Sequence, residues 1–348
     1  MKKESEIEKI YKKAFENRHL LYASLELTFK CNFACKFCYN PVEREGQKRK
    51  KKISFEGEYL TLEEIYRLLS DLRKAGVLYF TLTGGEPMVH PHFWEILEKA
   101  KEHAFLLRVF TNGSLIDEKA AEKLGKIFPN CIEISLYGAS EECYEKSCGR
   151  GHLFPKVVKA LQLLKREGVA VYLKCNLTKF TEVEMDKIQD LADAFGFPLN
   201  WDPILQMSDD GDDFPLMMNP SKEAIERLFK DKKFKTGSSP FEGEERKTLC
   251  NIGRNLINID PYGNIFPCIQ YREPLGNVKK DDIEKIFKGA QRLFELMKVA
   301  EDMAKKMKEE KISCYHCIGK SKLLYGSECT IDPTLLYLSN LKKKYSKE

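Results

Sequence analysis

Three thiols fall within eight residues of this chain, at Cys31, Cys35 and Cys38. Neighbours in so tight a loop do not readily reach disulfide geometry, so metal ligation is the chemistry they suit. An iron–sulfur cluster normally takes four protein thiolates, yet the next cysteine along the chain is Cys131. The spacing therefore implies a cubane held by three side chains, with one iron open to a substrate or cofactor. A zinc ion borrowing a distant fourth ligand is the alternative. A second group lies far downstream, at Cys250, Cys268, Cys314 and Cys317. One tight turn presents Cys314 and Cys317, while Cys250 and Cys268 flank a hairpin-type turn at Pro261, Tyr262, Gly263 and Asn264. Two such pairs closing on one metal make a four-thiolate site, suited to zinc or to an iron–sulfur cluster. Cys329 is left over.

Composition sets the surroundings for this chemistry. Twelve cysteines in 348 residues are too sparse for a disulfide scaffold, and a chain of this length needs no staples. No apolar signal core follows Met1, and apolar runs such as 77–82 fall far short of a membrane span. Clustered cysteines without a secretion signal read as metal ligands in a reducing cytoplasm. With 58 basic and 53 acidic side chains the formal charge is +5, too weak over this length to argue for nucleic acid. The run Lys48, Arg49, Lys50, Lys51 and Lys52 reads as a solvated loop rather than a phosphate-binding arm.

Positioning falls to a repeating pattern of strand and helix. Residues 1–20 read as a polar helix, and 21–28 alternate as a strand ending where the first cysteines begin. Thr61 and Glu64 form a capping box that opens a helix. Strands at 77–83, 106–111, 131–137, 169–177 and 199–204 then alternate with helices at 92–102, 117–126, 154–167 and 182–195. Such alternation implies an α/β fold with a parallel sheet. Six strands over this length imply a partial (β/α)6 TIM-like barrel across 21–207, with its site at the C-terminal strand ends. The acidic run 208–213 marks a linker over 208–247. A small cysteine-rich domain with a helix at 281–310 occupies 248–330, and 331–348 forms a helical tail.

The spacing Cys31-x3-Cys35-x2-Cys38, with Phe37 before the last cysteine, resembles the signature of the radical S-adenosylmethionine enzymes. The resemblance implies a [4Fe–4S] cluster whose open iron is chelated by S-adenosylmethionine. It also implies reductive cleavage to a 5′-deoxyadenosyl radical that abstracts hydrogen from a substrate. Thr83, Gly84, Gly85, Glu86 and Pro87 are similar to the family segment that contacts the methionine amino group. Paired glycines let a backbone approach a ligand closely, and Glu86 would accept from the ammonium. Thr111, Asn112 and Gly113 follow at the next strand end. The segment from Glu133 to Gly138 resembles the fourth-strand motif, with Ser135 near the ribose or carboxylate and Tyr137 where family members often carry an acid. Arg150 resembles the arginine that pairs with the methionine carboxylate. Tyr39 lies along the adenine or packs in the core.

Cys250, Cys268, Cys314 and Cys317 look like the C-terminal SPASM extension, or its shorter twitch form, which carries auxiliary [4Fe–4S] clusters. Four ligands imply one auxiliary cluster, with Cys329 a candidate to replace one of them. Fully ligated, such a cluster would move electrons, which favours oxidative chemistry. By analogy the chain is a radical oxidoreductase or maturase acting on a ribosomally made peptide or protein, served by a reductant such as a ferredoxin or flavodoxin. About 20 residues precede the first strand, so the peptide-recognition domain fused to some maturases is not expected. That leaves room for a separate leader-binding partner or a small-molecule substrate. Cys143, Cys148 and Cys329 are candidates for returning hydrogen in an epimerase, Cys143 and Cys148 sitting in the loop after the fourth strand; structural cysteines are the bland alternative. A non-catalytic iron–sulfur carrier would have no use for a methionine-binding motif.

Overall fold

The computed structural model describes residues 6–40, 57–234, 236, 250–314 and 316–345; the basic run at 48–52 lies outside them. Strands β1 (Tyr22–Glu26), β2 (Tyr79–Thr83), β3 (Leu106–Thr111), β4 (Cys131–Leu136), β5 (Val171–Asn176) and β6 (Leu199–Asp202) are joined by β7 (Leu256–Ile259), β8 (Asn264–Phe266) and β9 (Gly276–Asn277). They form one open sheet in the order β6-β5-β4-β3-β2-β1-β7-β8-β9. From β6 to β7 every neighbouring pair is parallel, and β7-β8-β9 is an antiparallel meander. This is a partial barrel of the expected α/β class.

The helices in chain order are α1 (Glu6–Glu16), α2 (Leu62–Lys74), α3 (Phe93–Glu102), α4 (Glu118–Ile127), α5 (Glu141–Cys148) and α6 (Phe154–Arg166), then α7 (Met185–Phe195), α8 (Lys222–Lys230), α9 (Ile283–Gly289), α10 (Gln291–Glu309), α11 (Ile318–Tyr325) and α12 (Pro333–Tyr345). Local chemistry explains their ends. Thr61 accepts from the Glu64 amide while Glu64 accepts from the Thr61 amide, the reciprocal cap that stops two orphan donors going unmet. No described helix is long and apolar enough to cross a membrane.

Strand alternation sorts side chains between two faces. Leu25, Phe80, Leu82, Val109, Ile132, Ile134, Leu173 and Trp201 are buried against the helices in one large core. The opposite face is polar and pairs across strands: Ser24 donates to Asn258 at 2.6 Å, Arg108 meets Glu133 at 3.7 Å, and Lys174 meets Asp202 at 3.3 Å. At the N-terminal strand ends Tyr11 of α1 stacks with Tyr22 and meets Tyr79, so α1 sits across that end. A smaller core gathers Ile252, Tyr271, Leu296, Ala300, Met303 and Ile318, with Cys250 and Cys268 against it.

Four features differ from the sequence expectation. Cys143 and Cys148 lie in helix α5, not a loop; Ser140 caps it and Gly149 ends it in the left-handed region. The stretch expected as a linker contains α8, and its acidic run turns inward, leaving Ser208, Asp209 and Asp210 buried. The single helix expected at 281–310 divides at Ala290, whose extended backbone separates α9 from α10. Finally, the sheet runs without a break from β1 into β7, pairing Tyr22 with Leu256 and Leu25 with Ile259.

Candidate active site

Strand β1 ends at Glu26, and five residues later the chain enters the loop of Cys31, Cys35 and Cys38. Helix α5 anchors that loop from one side: the carbonyls of Cys148 and Ser147 accept from the amides of Ala34 and Lys36, at 2.9 and 3.0 Å. The turn after β2 anchors it from the other, where Gly85 and Glu86 donate to the carbonyls of Thr28 and Lys30 at 2.7 and 2.9 Å. A methyl group on Gly84 or Gly85 would fall inside contact distance of those same two carbonyl oxygens, and Gly84 has a φ of +136°. The paired glycines are thus required for the turn to lie against the chain's own backbone.

Glu86 is fully buried, and its carboxylate accepts from the Asn112 amide at 2.7 Å, the Thr111 hydroxyl at 2.8 Å and the Met88 amide at 3.1 Å. Burial pushes its carboxyl up to about 7, against these three donors. A carboxylate offers about four acceptor positions, of which these donors take three. The same bonds tie the Gly-Gly-Glu-Pro turn to the Thr111-Asn112-Gly113 turn. Pro87 opens a short 3₁₀ turn for which Glu86 is the cap. The Asn112 amide group donates to Asn32 at 2.8 Å and reaches the Cys31 sulfur at 4.0 Å.

Desolvation is what raises the Cys31 thiol, helped by negative charge on Cys35, Glu86 and Cys38. The three sulfurs are partly out of water and close together, so Cys31 favours its neutral thiol unless a cationic partner offsets the charge. Tyr137 lies against the group: Cys35 and Cys31 both push its phenol up, after burial, while Ser135 bonds to it. Its ring meets Phe33 at 5.5 Å and Phe37 at 5.9 Å. Arg150 is exposed and donates to the Asn32 carbonyl at 3.0 Å, over the cysteine loop. Tyr39 is bound through its carbonyl by the Asp209 amide at 2.7 Å. Burial raises its phenol, with Glu26 and Asp209 adding to that.

Three of the downstream cysteines meet on the small core, whereas Cys314 packs against the large one. Cys268 is half-buried, and after desolvation the charges of Cys317 and Cys250 raise its thiol further, so these three are neighbours. Cys314 is half-buried with Lys342 and Lys343 of α12 as its charged neighbours, and Cys329 is exposed. The Cys143 sulfur lies 3.3 Å from the carbonyl oxygens of both Tyr137 and Phe180, either of which its single S–H can serve, and Cys148 donates to that of Tyr144 at 3.1 Å. Among the described residues no three His, Cys, Asp or Glu side chains are gathered to hold a single metal ion. The fit to an iron–sulfur group rests on the donor set instead: two groups of partly buried thiols, in which neighbouring sulfurs raise Cys31 and Cys268 and whose thiolate charge such a group would offset.

Sequence reasoning passed over a buried ionic cluster between the two groups. Arg272 donates to both carboxylate oxygens of Glu26, at 2.6 and 2.8 Å, and to Asp209 at 2.7 Å. The only available signal was an acid, Glu26, ending strand β1 just before the cysteine loop.

Comparison with known proteins agrees with this layout. A family model described as the radical SAM superfamily matches residues 25–195, and one described as an iron–sulfur cluster-binding domain, SPASM, matches 250–318. Mycofactocin maturase of Mycobacterium tuberculosis is 29% identical over 257 residues, covering 70% of this chain and 63% of that protein. The PqqA peptide cyclase of Granulibacter bethesdensis is 27% identical over 259 residues, covering 70% of this chain and 66% of that one. The match thus spans under two thirds of either relative. Among solved structures, native anSMEcpe with bound AdoMet superposes with a TM-score of 0.65 at 19% identity, covering 94% of this chain and 97% of that one.

Proposed function

The chain belongs to the radical S-adenosylmethionine superfamily and carries its SPASM iron–sulfur domain, and from that premise we propose that it modifies a ribosomally made peptide or protein by oxidative hydrogen abstraction. The carrying observation is the convergence of the cysteine loop, Glu86 and Asn112 at the C-terminal ends of β1, β2 and β3. A maturase and a peptide cyclase among the relatives support the substrate class.

In this reading Cys31, Cys35 and Cys38 hold the [4Fe–4S] cluster, while Cys250, Cys268, Cys314 and Cys317 hold one auxiliary cluster. With S-adenosylmethionine bound, these groups supply a 5′-deoxyadenosyl radical and an electron acceptor. The protein's own part is placement. Glu86, fixed by three donors, presents its remaining acceptor position to the methionine ammonium. Arg150, free on its solvent side, pairs with the methionine carboxylate. Asn112 and Ser135 would offer polar groups to the nucleotide, and Phe37 and Tyr137, packed together beside the cysteine loop, would exclude water there. Cys143 and Cys148 are committed to backbone carbonyls, which leaves an epimerase hydrogen donor without support from either.

The test is anaerobic reduction of reconstituted protein with S-adenosylmethionine, followed by incubation with peptides encoded beside its gene. Release of 5′-deoxyadenosine should vanish in Cys35→Ala, a loss of at least about a hundredfold. The modified peptide should be lighter by two hydrogens. Undiminished release in the variant would remove the triad from the chemistry, and deuterium entering from solvent at unchanged composition would replace oxidation by epimerisation.

A further inference from the structure

Between the two cysteine groups lies a buried guanidinium that the proposed chemistry does not use. Arg272 is 5% exposed, Glu26 0% and Asp209 4%. The Arg272–Glu26 contact is bidentate, and Asn258 adds a donor to the same carboxylate at 2.8 Å. Its rear face lies over the Phe266 ring, 5.3 Å from the centroid. Each arm of this cluster leads to a cysteine. Glu26 ends the strand that launches Cys31, and Asp209 binds the carbonyl of Tyr39, the residue after Cys38. Arg272 itself follows Cys268 by four residues, in a turn closed by the Tyr271 amide on the Cys268 carbonyl at 3.1 Å. Gly319, just past Cys317, has no room for a Cβ against the Gln270 carbonyl of that same turn.

Burying one cation with two carboxylates is a poor way to gain stability, since desolvation offsets most of the attraction. What such a contact gains is geometry: a planar fork that accepts one arrangement of its partners and few others. We propose that Arg272 is a positioning residue, clamping the C-terminal cysteine segment to both flanks of the N-terminal cysteine loop and so fixing the separation of the two iron–sulfur groups. Glu26 and Asp209 are its two anchors. This rests on the two-cluster reading above, so its test must separate the clamp from the clusters.

The experiment compares the full-length reconstituted protein with Arg272→Met and Arg272→Lys. Total iron and the unfolding midpoint report assembly. Pulsed electron paramagnetic resonance of the doubly reduced protein reports the distance distribution between the groups, and hydrogen exchange reports mobility at 27–39 and 256–277. Lysine keeps the charge and loses the fork, so Arg272→Lys should retain full iron yet broaden the distribution about twofold. Arg272→Met should broaden it further and speed exchange in both segments; if it does not fold, Arg272→Lys carries the test. A distribution and exchange pattern unchanged in Arg272→Lys, with iron retained, would overturn the clamp. Wild-type protein with only about four irons would instead sink the two-cluster reading. The clamp would then stand or fall on exchange alone: faster in the variant upholds it, unchanged refutes it.

Discussion

Cys31, Cys35 and Cys38 reach their site within a single loop, whereas Cys250, Cys268 and Cys317 are drawn from segments separated by three strands and two helices, one of them 19 residues long. The first group is local in its ligands and non-local in its surroundings. Its spacing is set by eight consecutive residues, but Glu86, Thr111, Asn112 and the carbonyls of α5 arrive from three other elements. The second group is non-local even in its ligands: until β7, β8 and α10 have folded, nothing brings Cys250 near Cys317. A loop can gather thiols while the chain is still open; a tertiary site has to meet the closure entropy of every intervening segment first. The second group should therefore be the more fragile of the two.

Replacing ligands breaks this comparison most severely. Cys268→Ser and Cys317→Ser should each lower bound iron by about half, from about eight atoms to about four, while 5′-deoxyadenosine release persists from the intact loop. Cys314→Ser should do the same if it supplies the fourth thiolate, and Cys329→Ser, whose thiol is exposed, should retain full iron. Iron lost in Cys329→Ser and kept in Cys314→Ser would exchange these two residues in the second group. Iron and absorbance on the same anaerobic preparations decide between them.

The same contrast explains what the sequence disclosed. The cysteine loop was legible because its chemistry is written in short spacing, and the sheet because its parallel strands alternate and helices such as α2 and α4 begin at side-chain caps, Thr61 and Asp117. The Gly-Gly-Glu-Pro motif was legible as a motif, but its glycines answer to Thr28 and Lys30, an approach visible only in three dimensions. Helix α5 escaped notice because eight residues give too little periodicity to stand out, although Ser140 and Gly149 carried its caps. The Arg272 cluster was the least legible feature: its partners lie 246 positions apart, and no local pattern links an acid at a strand end to an arginine after a hairpin.

Gly84→Ala sharpens the comparison from the side of the local site. The added methyl would meet the Thr28 carbonyl at a backbone φ of +136°, so both overpacking and strain oppose it. The cost should be about 3 kcal/mol, read as a fall in the denaturation midpoint. Because the cysteine spacing is untouched, iron in the first group should survive where the fold does, and 5′-deoxyadenosine release should fall more than iron does. Loss of iron in proportion to activity would mean that the turn holds the cluster loop itself rather than the nucleotide beside it.

Asp260 offers the smallest effect and probes the seam where the second region joins the first. It sits in the β7–β8 turn, fully buried, accepting from the Tyr262 and Asn264 amides and from the Asn264 side chain, all at 2.9 Å. Burial, with some help from Glu26, pushes its carboxyl up to about 6 despite these donors. The folded protein therefore holds this proton more tightly than the unfolded chain, which releases it near 3.8. Stability from this group is present at low pH and is lost as pH rises towards and through 6. Between pH 5 and 7 the loss should be about 1 kcal/mol. Asp260→Asn cannot titrate, so its stability should lack this slope while carrying a constant penalty from setting an amide against the Asn264 donor. The difference between wild type and variant, followed by denaturant unfolding across that window, cancels Asp209 and every other titrating group. A difference independent of pH would mean that Asp260 is ionised throughout, and that the hairpin donors, rather than burial, govern the charge where the two regions meet.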